Sequence, residues 1–184
     1  MTVLRDPKTG IGQSVTSGGM AVNKAICQSL TEHSNQHEEQ SYSAVISVTP
    51  TGAGDCFFYI TNNDDRDAVV TSLKLHAGAA ETVQVKIRDI GTVGGTHATL
   101  TPVNRNAGSG KVADVTCESG VDITGLSGGD IVDELVIGTT MWRWEWLSGL
   151  IIPKNRTVSL YAVTGAIAIK ATLGFCFLCP CLEP

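Results

Sequence analysis

Residues 101–111, TPVNRNAGSGK, form the one segment whose residue types and spacing announce a chemistry at first sight. A phosphate loop needs Gly at each end of a four-residue run, then Lys and a hydroxyl residue. Backbone N–H groups then cradle phosphates and the hydroxyl reaches magnesium. Here Val112 follows Gly110 and Lys111, Arg105 stands where the first Gly belongs, and KVADVTC beyond alternates like a strand instead of opening a helix. The segment is therefore read as a turn between two strands, built from Asn, Gly and Ser.

Other groups invite the same test. His33 and His37 stand four apart, a spacing that puts two imidazoles on one helix face, but no Glu follows His33 to complete a zinc-protease motif. Cys176, Cys179 and Cys181 crowd the C-terminus as FCFLCPCLEP, without the second distant pair that a structural zinc site needs. Cys27, Cys56 and Cys117 lie far apart and read as small buried hydrophobes. Asn62, Asn63, Asp64 and Asp65 lack the Gly and the terminal Glu of a calcium loop and read as a turn. Asp130, Asp133 and Glu134 resemble the carboxylate pair of a glycosidase, yet follow Gly128 and Gly129 and read as a solvated loop. No G-x-S-x-G elbow occurs, and the four histidines sit in no catalytic pattern. The expectation is a protein that is not an enzyme, with no catalytic, metal or cofactor-binding residues and no cofactor.

The segment MWRWEWLSG is different in kind. Trp142, Trp144 and Trp146 alternate with Arg143 and Glu145, so a strand would carry all three indoles on one face. Two readings stand side by side: a core anchor of large apolar area, or a contact stripe for a protein partner or a sugar.

The elements that must position these residues are strands. Gly is abundant, Val, Ile and Thr recur, and only 17% of the 184 residues are charged, a balance of strands and tight turns within one domain. A net charge of −5 gives no basic face for a nucleic-acid backbone. No apolar run is long enough for a membrane helix, and MTVLRDPKTGIGQ has no secretory core, so folding in a cytosol is expected. Residues 1–40 read as a polar arm, with Ala25, Ile26, Leu30 and His33 on one side of a short helix that needs a partner surface. From residue 41 the pattern turns to period two. Phe57 and Tyr59 are expected on one face, with Phe58 and Ile60 on the other. Val83, Val85 and Ile87 are expected to face inward, while ESGVDITGLSGGD reads as a loop. Eight to ten short strands without intervening helices predict an all-β, jelly-roll-like antiparallel β-sandwich over residues 41–175. The extended N-terminal arm precedes it and a C-terminal tail, 176–184, follows.

The order of pieces resembles small virion proteins of tailed bacteriophages. The entry TEHSNQHEEQSYSA, the aromatic strand FFYITNND, the segment TPVNRNAGSGKVADVT and the later GLIIPKNRTVSLYAVTG carry the likeness, which covers most of residues 25–175. FCFLCPCLEP departs from it. In such proteins the P-x-N-x-N-x-G-S and I-I-P-K segments lie in a jelly roll. The resemblance implies a capsid decoration, or cement, protein. Such a protein is a homotrimer that binds the major capsid protein on the outer surface of the virion, is assembled in the host bacterial cytoplasm, and contacts neither nucleic acid nor membrane. Trp142, Trp144, Trp146, Ile26 and Leu30 are then the expected interface residues. A head-fibre base or tail-associated jelly-roll virion protein is the near alternative. A carbohydrate-binding module using Trp142, Trp144 and Trp146 is the runner-up from another class.

Overall fold

A computed structural model describes residues 3–5, 12–15, 21–22, 32, 34–140 and 142–178; for residues 3–5, 12–15, 21–22, 37 and 142–148 it describes the backbone alone. Three short strands, β1 (Val3–Arg5), β2 (Gly12–Val15) and β3 (Ala21–Val22), pair with one another in a small antiparallel sheet. A single wide helical turn, Ser34–Glu38, then leads into the body.

The body has eleven strands rather than eight to ten. They are β4 (Ser41–Val48), β5 (Asp55–Asn62), β6 (Ala68–Ala77), β7 (Glu81–Ile87), β8 (Gly94–Thr99), β9 (Val103–Asn104), β10 (Val115–Thr124), β11 (Asp130–Ile137), β12 (Trp142–Ile152), β13 (Thr157–Ala162) and β14 (Ile169–Phe177). One sheet runs β11-β7-β13-β5-β10-β8 and the other β12-β6-β14-β4-β9, with every pairing antiparallel. Without β8, β9 and β10 the two sheets read β11-β7-β13-β5 and β12-β6-β14-β4, the jelly-roll arrangement in which consecutive strands cross between the sheets except at the β7–β11 pair. The expected all-β sandwich is thus the fold, and residues 88–129 are an insertion that widens both sheets at one side.

The core lies between the sheets. Tyr42, Phe57, Phe58, Ile60, Leu73, Leu75, Leu160, Phe175 and Phe177 are all buried in it. Each large aliphatic or Phe side chain so placed contributes about 1.5–3 kcal/mol relative to exposure. Val83 and Val85 face this core as the alternation predicts, and Ile87 packs against it half-buried.

Four expectations are corrected. Phe57 and Phe58 both enter the main core, while Cys56 and Tyr59 face the other way, because Phe57 is an extra residue on β5: Leu160 pairs with Phe58 and Tyr161 with Cys56. ESGVDIT belongs to β10, held as a strand by ladders to β5 on one side and β8 on the other. Asp130, Asp133 and Glu134 lie on β11, an edge strand, and not in a loop. Both ends of the sandwich also move. Residues 34–40 are bonded into the body, and β14 runs through Cys176 to Phe177, so neither 40 nor 175 is a boundary. Among the described residues no helix is long and apolar enough to cross a membrane.

Candidate functional site: the root of the arm

The described part of the arm enters the sandwich at one end, where residues 101–111, the start of β4, the end of β14 and the turn after β5 converge. The segment that resembled a phosphate loop does cradle something: the main chain of the arm. Its own shape is set by side chain to backbone bonds. Asn104 Oδ1 accepts from Asn106 N (2.8 Å), Asn106 Oδ1 from Gly108 N (3.1 Å), and Ser109 Oγ from Lys111 N (3.1 Å). These are the local Asn and Ser turns that compete with regular structure. So folded, the loop points three donors at the arm. Asn104 Nδ2 donates to Glu39 O (2.8 Å), Asn106 Nδ2 to Asn35 O (3.1 Å) and Lys111 Nζ to Glu38 O (2.7 Å). Arg105 N adds a fourth bond to Ser41 O (2.8 Å). A single wide turn leaves several carbonyls without partners of its own, and the loop satisfies them.

The other wall is the end of β14. Ser34 Oγ donates to Phe177 O (3.2 Å), and Phe177 N donates to Gln40 O (3.3 Å). Leu178 N reaches Asp67 O (2.9 Å), tying the exit of the chain to the entry of β6. Arg66 sits across this junction. Its guanidinium grips Asp64 bidentately, Nε to Oδ1 at 2.9 Å and Nη2 to Oδ2 at 2.5 Å, donates through Nη1 to Gln40 Oε1, and lies 5.0 Å over the Phe177 ring. Arg66 holds the Asp64 carboxyl below the usual carboxylate range. Beneath it Tyr42, Phe175 and Phe177 form an aromatic cluster, with Tyr42 stacked on Phe175 at 5.5 Å and edge-on to Phe177. Asn62, fully buried, accepts from Asp64 N (3.0 Å) and donates to Arg66 O (2.7 Å) and Ile152 O (2.9 Å). β4 and β14 therefore supply the aromatic floor of the root, and Asn62 at the end of β5 fixes the turn that carries Arg66.

A second polar cluster lies on the outer face of the six-stranded sheet, under the loops around residues 88–94 and 124–129. The Asp89 carboxylate, 3% exposed, accepts from Ser159 Oγ and from Tyr161 OH (2.9 Å). Cys56, Tyr59, Ile123 and Tyr161 pack around it, and Lys86 Nζ covers the Tyr161 ring at 3.9 Å. Burial, with Cys56 and Asp89 close by, raises the Tyr161 phenol far above its ordinary range. Gly129 is required here, since a Cβ would stand 2.2 Å from Asp89 Oδ1. Among the described residues no histidine hydrogen-bonds Ser159. His97, the imidazole of this sheet, lies 2.7 Å from Glu118 instead. The buried Asp89 carboxylate is thus satisfied by two hydroxyl donors, and the three side chains brace the outer face of the sheet.

The structure brings few of the sequence candidates together. Ile26, Leu30, His33, Cys27, Cys179 and Cys181 lie outside the described residues. The backbone of β12 pairs Trp142 with Leu75 and Trp144 with Leu73, while Trp146 falls in a register shift. The three indoles themselves lie outside the described residues. Cys56, Cys117 and Cys176 are free and buried. Burial pushes the Cys56 and Cys117 thiols up to about 12. Asp130 pairs with Arg88, and Glu134 Oε1 accepts from Gln84 (2.7 Å), so these carboxylates converge on nothing. Among the described residues no group of three His, Cys, Asp or Glu side chains is placed to hold a metal. The clamp on the arm was missed in the sequence because it acts on carbonyls; the P-x-N-x-N-x-G-S spacing was its only signal.

With this geometry in view, the class that the fold defines is a jelly-roll sandwich with an N-terminal arm gripped at its root. No family model, no curated protein and no solved structure matches the chain.

Proposed function

We propose that the chain is a structural virion protein that binds the outer surface of a phage capsid lattice and stabilises it, a decoration or cement protein whose partner is the major capsid protein. The observation that carries this reading is the arm root. The loop at 101–111, one of the segments that resemble phage virion proteins, holds the carbonyls of Asn35, Glu38 and Glu39. The chain therefore joins a stiff sandwich at a fixed point, from Ser34 onward, which suits an arm that reaches a neighbouring subunit of a lattice. Repetition over the lattice lets modest contacts hold by avidity. In this reading the protein works without catalysis and as a trimer.

The test follows the arm. Removing residues 1–31 leaves the clamped turn and the sandwich folded and abolishes binding to emptied, expanded capsids. A truncated protein that still decorates shells at full occupancy overturns the reading. Copurification with intact virions, at a copy number comparable to the major capsid protein, is the accompanying measurement. The carbohydrate alternative is separated by titration: a capsid binder shows no quenching of tryptophan fluorescence with glycans.

A further inference from the structure

Among the described residues nothing covers the outer face of the five-stranded sheet around β4, where Val45 is 63% exposed. A trough of about 410 Å³ runs over β4, β14 and β6, lined by Val45, Ser47, Lys74, Leu75, Lys170 and Thr172 among others. The register explains its character. Thr172 lies opposite Val45 and Lys74, and Lys170 lies opposite Ser47 and His76, so two lysines and a histidine share one small-residue face. On the neighbouring strand Arg143 stands opposite Lys74 and Glu145 opposite Ser72; their side chains lie outside the described residues. Neither Lys74 nor Lys170 makes an ion pair among the described residues. Cations gathered on one face of a chain with net charge −5 mark a surface that attracts anions. An open trough over a flat sheet cannot enclose a small molecule as ligand pockets do.

The same chain carries a complementary element. Among the described residues β11 pairs only with β7, so no described strand covers the other side of its backbone. Its sequence, DIVDELVI, contains neither Lys nor Pro, the usual guards of an edge strand. Ile131, Val132 and Val136 are 50%, 43% and 72% exposed. Between them stand Asp133 and Glu134, with no cation bound to either among the described residues. Two β11 edges brought together would oppose carboxylates, a like-charge arrangement that destabilises strand pairing. A cationic surface is the better partner.

We propose that the β11 edge of one copy seats in the β4–β14–β6 trough of a second copy. Glu134 and Val136, which share the outer face of β11, then meet the two lysines and Val45, while Asp133 flanks the edge on its other side. The trough and the edge are different surfaces, so the contact is heterologous: each copy offers both, and the assembly closes into a ring or grows as a chain. The contact is a property of this chain alone and does not rest on the capsid reading.

The test uses the full-length protein without capsids. Sedimentation at low ionic strength is expected to show reversible self-association that weakens as salt is raised. The variants K74E/K170E and D133K/E134K each weaken it at least about tenfold, and the fourfold variant carrying both reversals recovers it. A zero-length carbodiimide applied to a mixture of ¹⁴N- and ¹⁵N-labelled wild-type protein joins Lys74 or Lys170 of one copy to Asp133 or Glu134 of another; this arm needs no variant to fold. A wild-type monomer at low salt overturns the proposal. So does association indifferent to the reversals, or intermolecular cross-links confined to other surfaces. Self-association in protein that leaves capsids bare would remove the capsid reading and keep this one.

Discussion

Arg66 joins more of the molecule than any other charged side chain at the arm root. It grips Asp64, bonds Gln40 and covers Phe177, so the turn after β5, the foot of the arm and the end of β14 share one guanidinium. Arg66→Ala is expected to lower the unfolding free energy by about 2 kcal/mol in urea titration. Arg66→Lys is expected to recover little, because a single ammonium cannot reproduce the bidentate fork. A second residue-scale prediction concerns the buried thiols. Burial raises Cys56 and Cys117 from 9.0 to about 12, so between these values the folded protein keeps protons that the unfolded chain releases. Their contribution to stability is full below pH 9 and is lost as pH rises toward about 12. Unfolding free energy measured across that window should fall, and the double variant C56A/C117A should flatten the fall. Asp64 acts in the opposite direction. Its folded pKa is lowered by Arg66, so its contribution is present above the ordinary carboxylate range and is lost on acidification.

At the scale of elements, the loop at 101–111 is the decisive piece. Asn104 orders the loop through Oδ1 and bonds the arm through Nδ2, so Asn104→Ala removes both functions together. The expected cost is about 1–3 kcal/mol. Amide exchange should quicken in residues 35–41 more than in β7 or β13. Unchanged protection of the arm root would sink the idea that the loop is a clamp. How much of this was legible follows from what each element uses. β7 was readable because one face is buried, giving Val83 and Val85 a clean alternation. β10 was not. Its ESG run has neither β-branched nor aromatic residues, and its ladders to β5 and β8 override local propensity. The extra residue at Phe57 was hidden as well, since five apolar or aromatic residues in a row, Cys56 to Ile60, fit either face. The clamp left almost no trace, because its acceptors are backbone carbonyls that every residue carries alike.

For the whole molecule, composition and turn spacing were enough for an all-β sandwich, while the jelly-roll connection emerges only from pairings far apart in sequence. Ser41 with Cys176 and Val115 with Asn62 are examples. Such pairings depend on which edges meet, and no period in the chain encodes that. The insertion between β7 and β11 is the clearest case. It lengthens the six-stranded sheet by β10 and β8 and the five-stranded sheet by β9, and then supplies the loop that holds the arm. A whole-molecule prediction follows from the buried Glu81, which accepts from Thr164 N (2.8 Å) and Gly165 N (2.9 Å) and so ties the start of β7 to the turn between β13 and β14. Glu81→Ala should lower the midpoint of thermal unfolding by several degrees in a single cooperative transition, since one carboxylate here supports strands of both sheets.

The junction of β4 with β14 has a mechanical consequence. These strands are antiparallel neighbours, and Ser41, where the chain enters the sandwich, pairs with Cys176, near where it leaves. Tension applied between residue 34 and residue 178 would peel the two strands apart one hydrogen bond at a time, as a zipper opens, and never load the ladder in shear. Force spectroscopy through these two points should therefore record a low rupture force. Load entering through the arm would therefore have to be returned through the broad faces and other edges of the sandwich, and not through the end of β14.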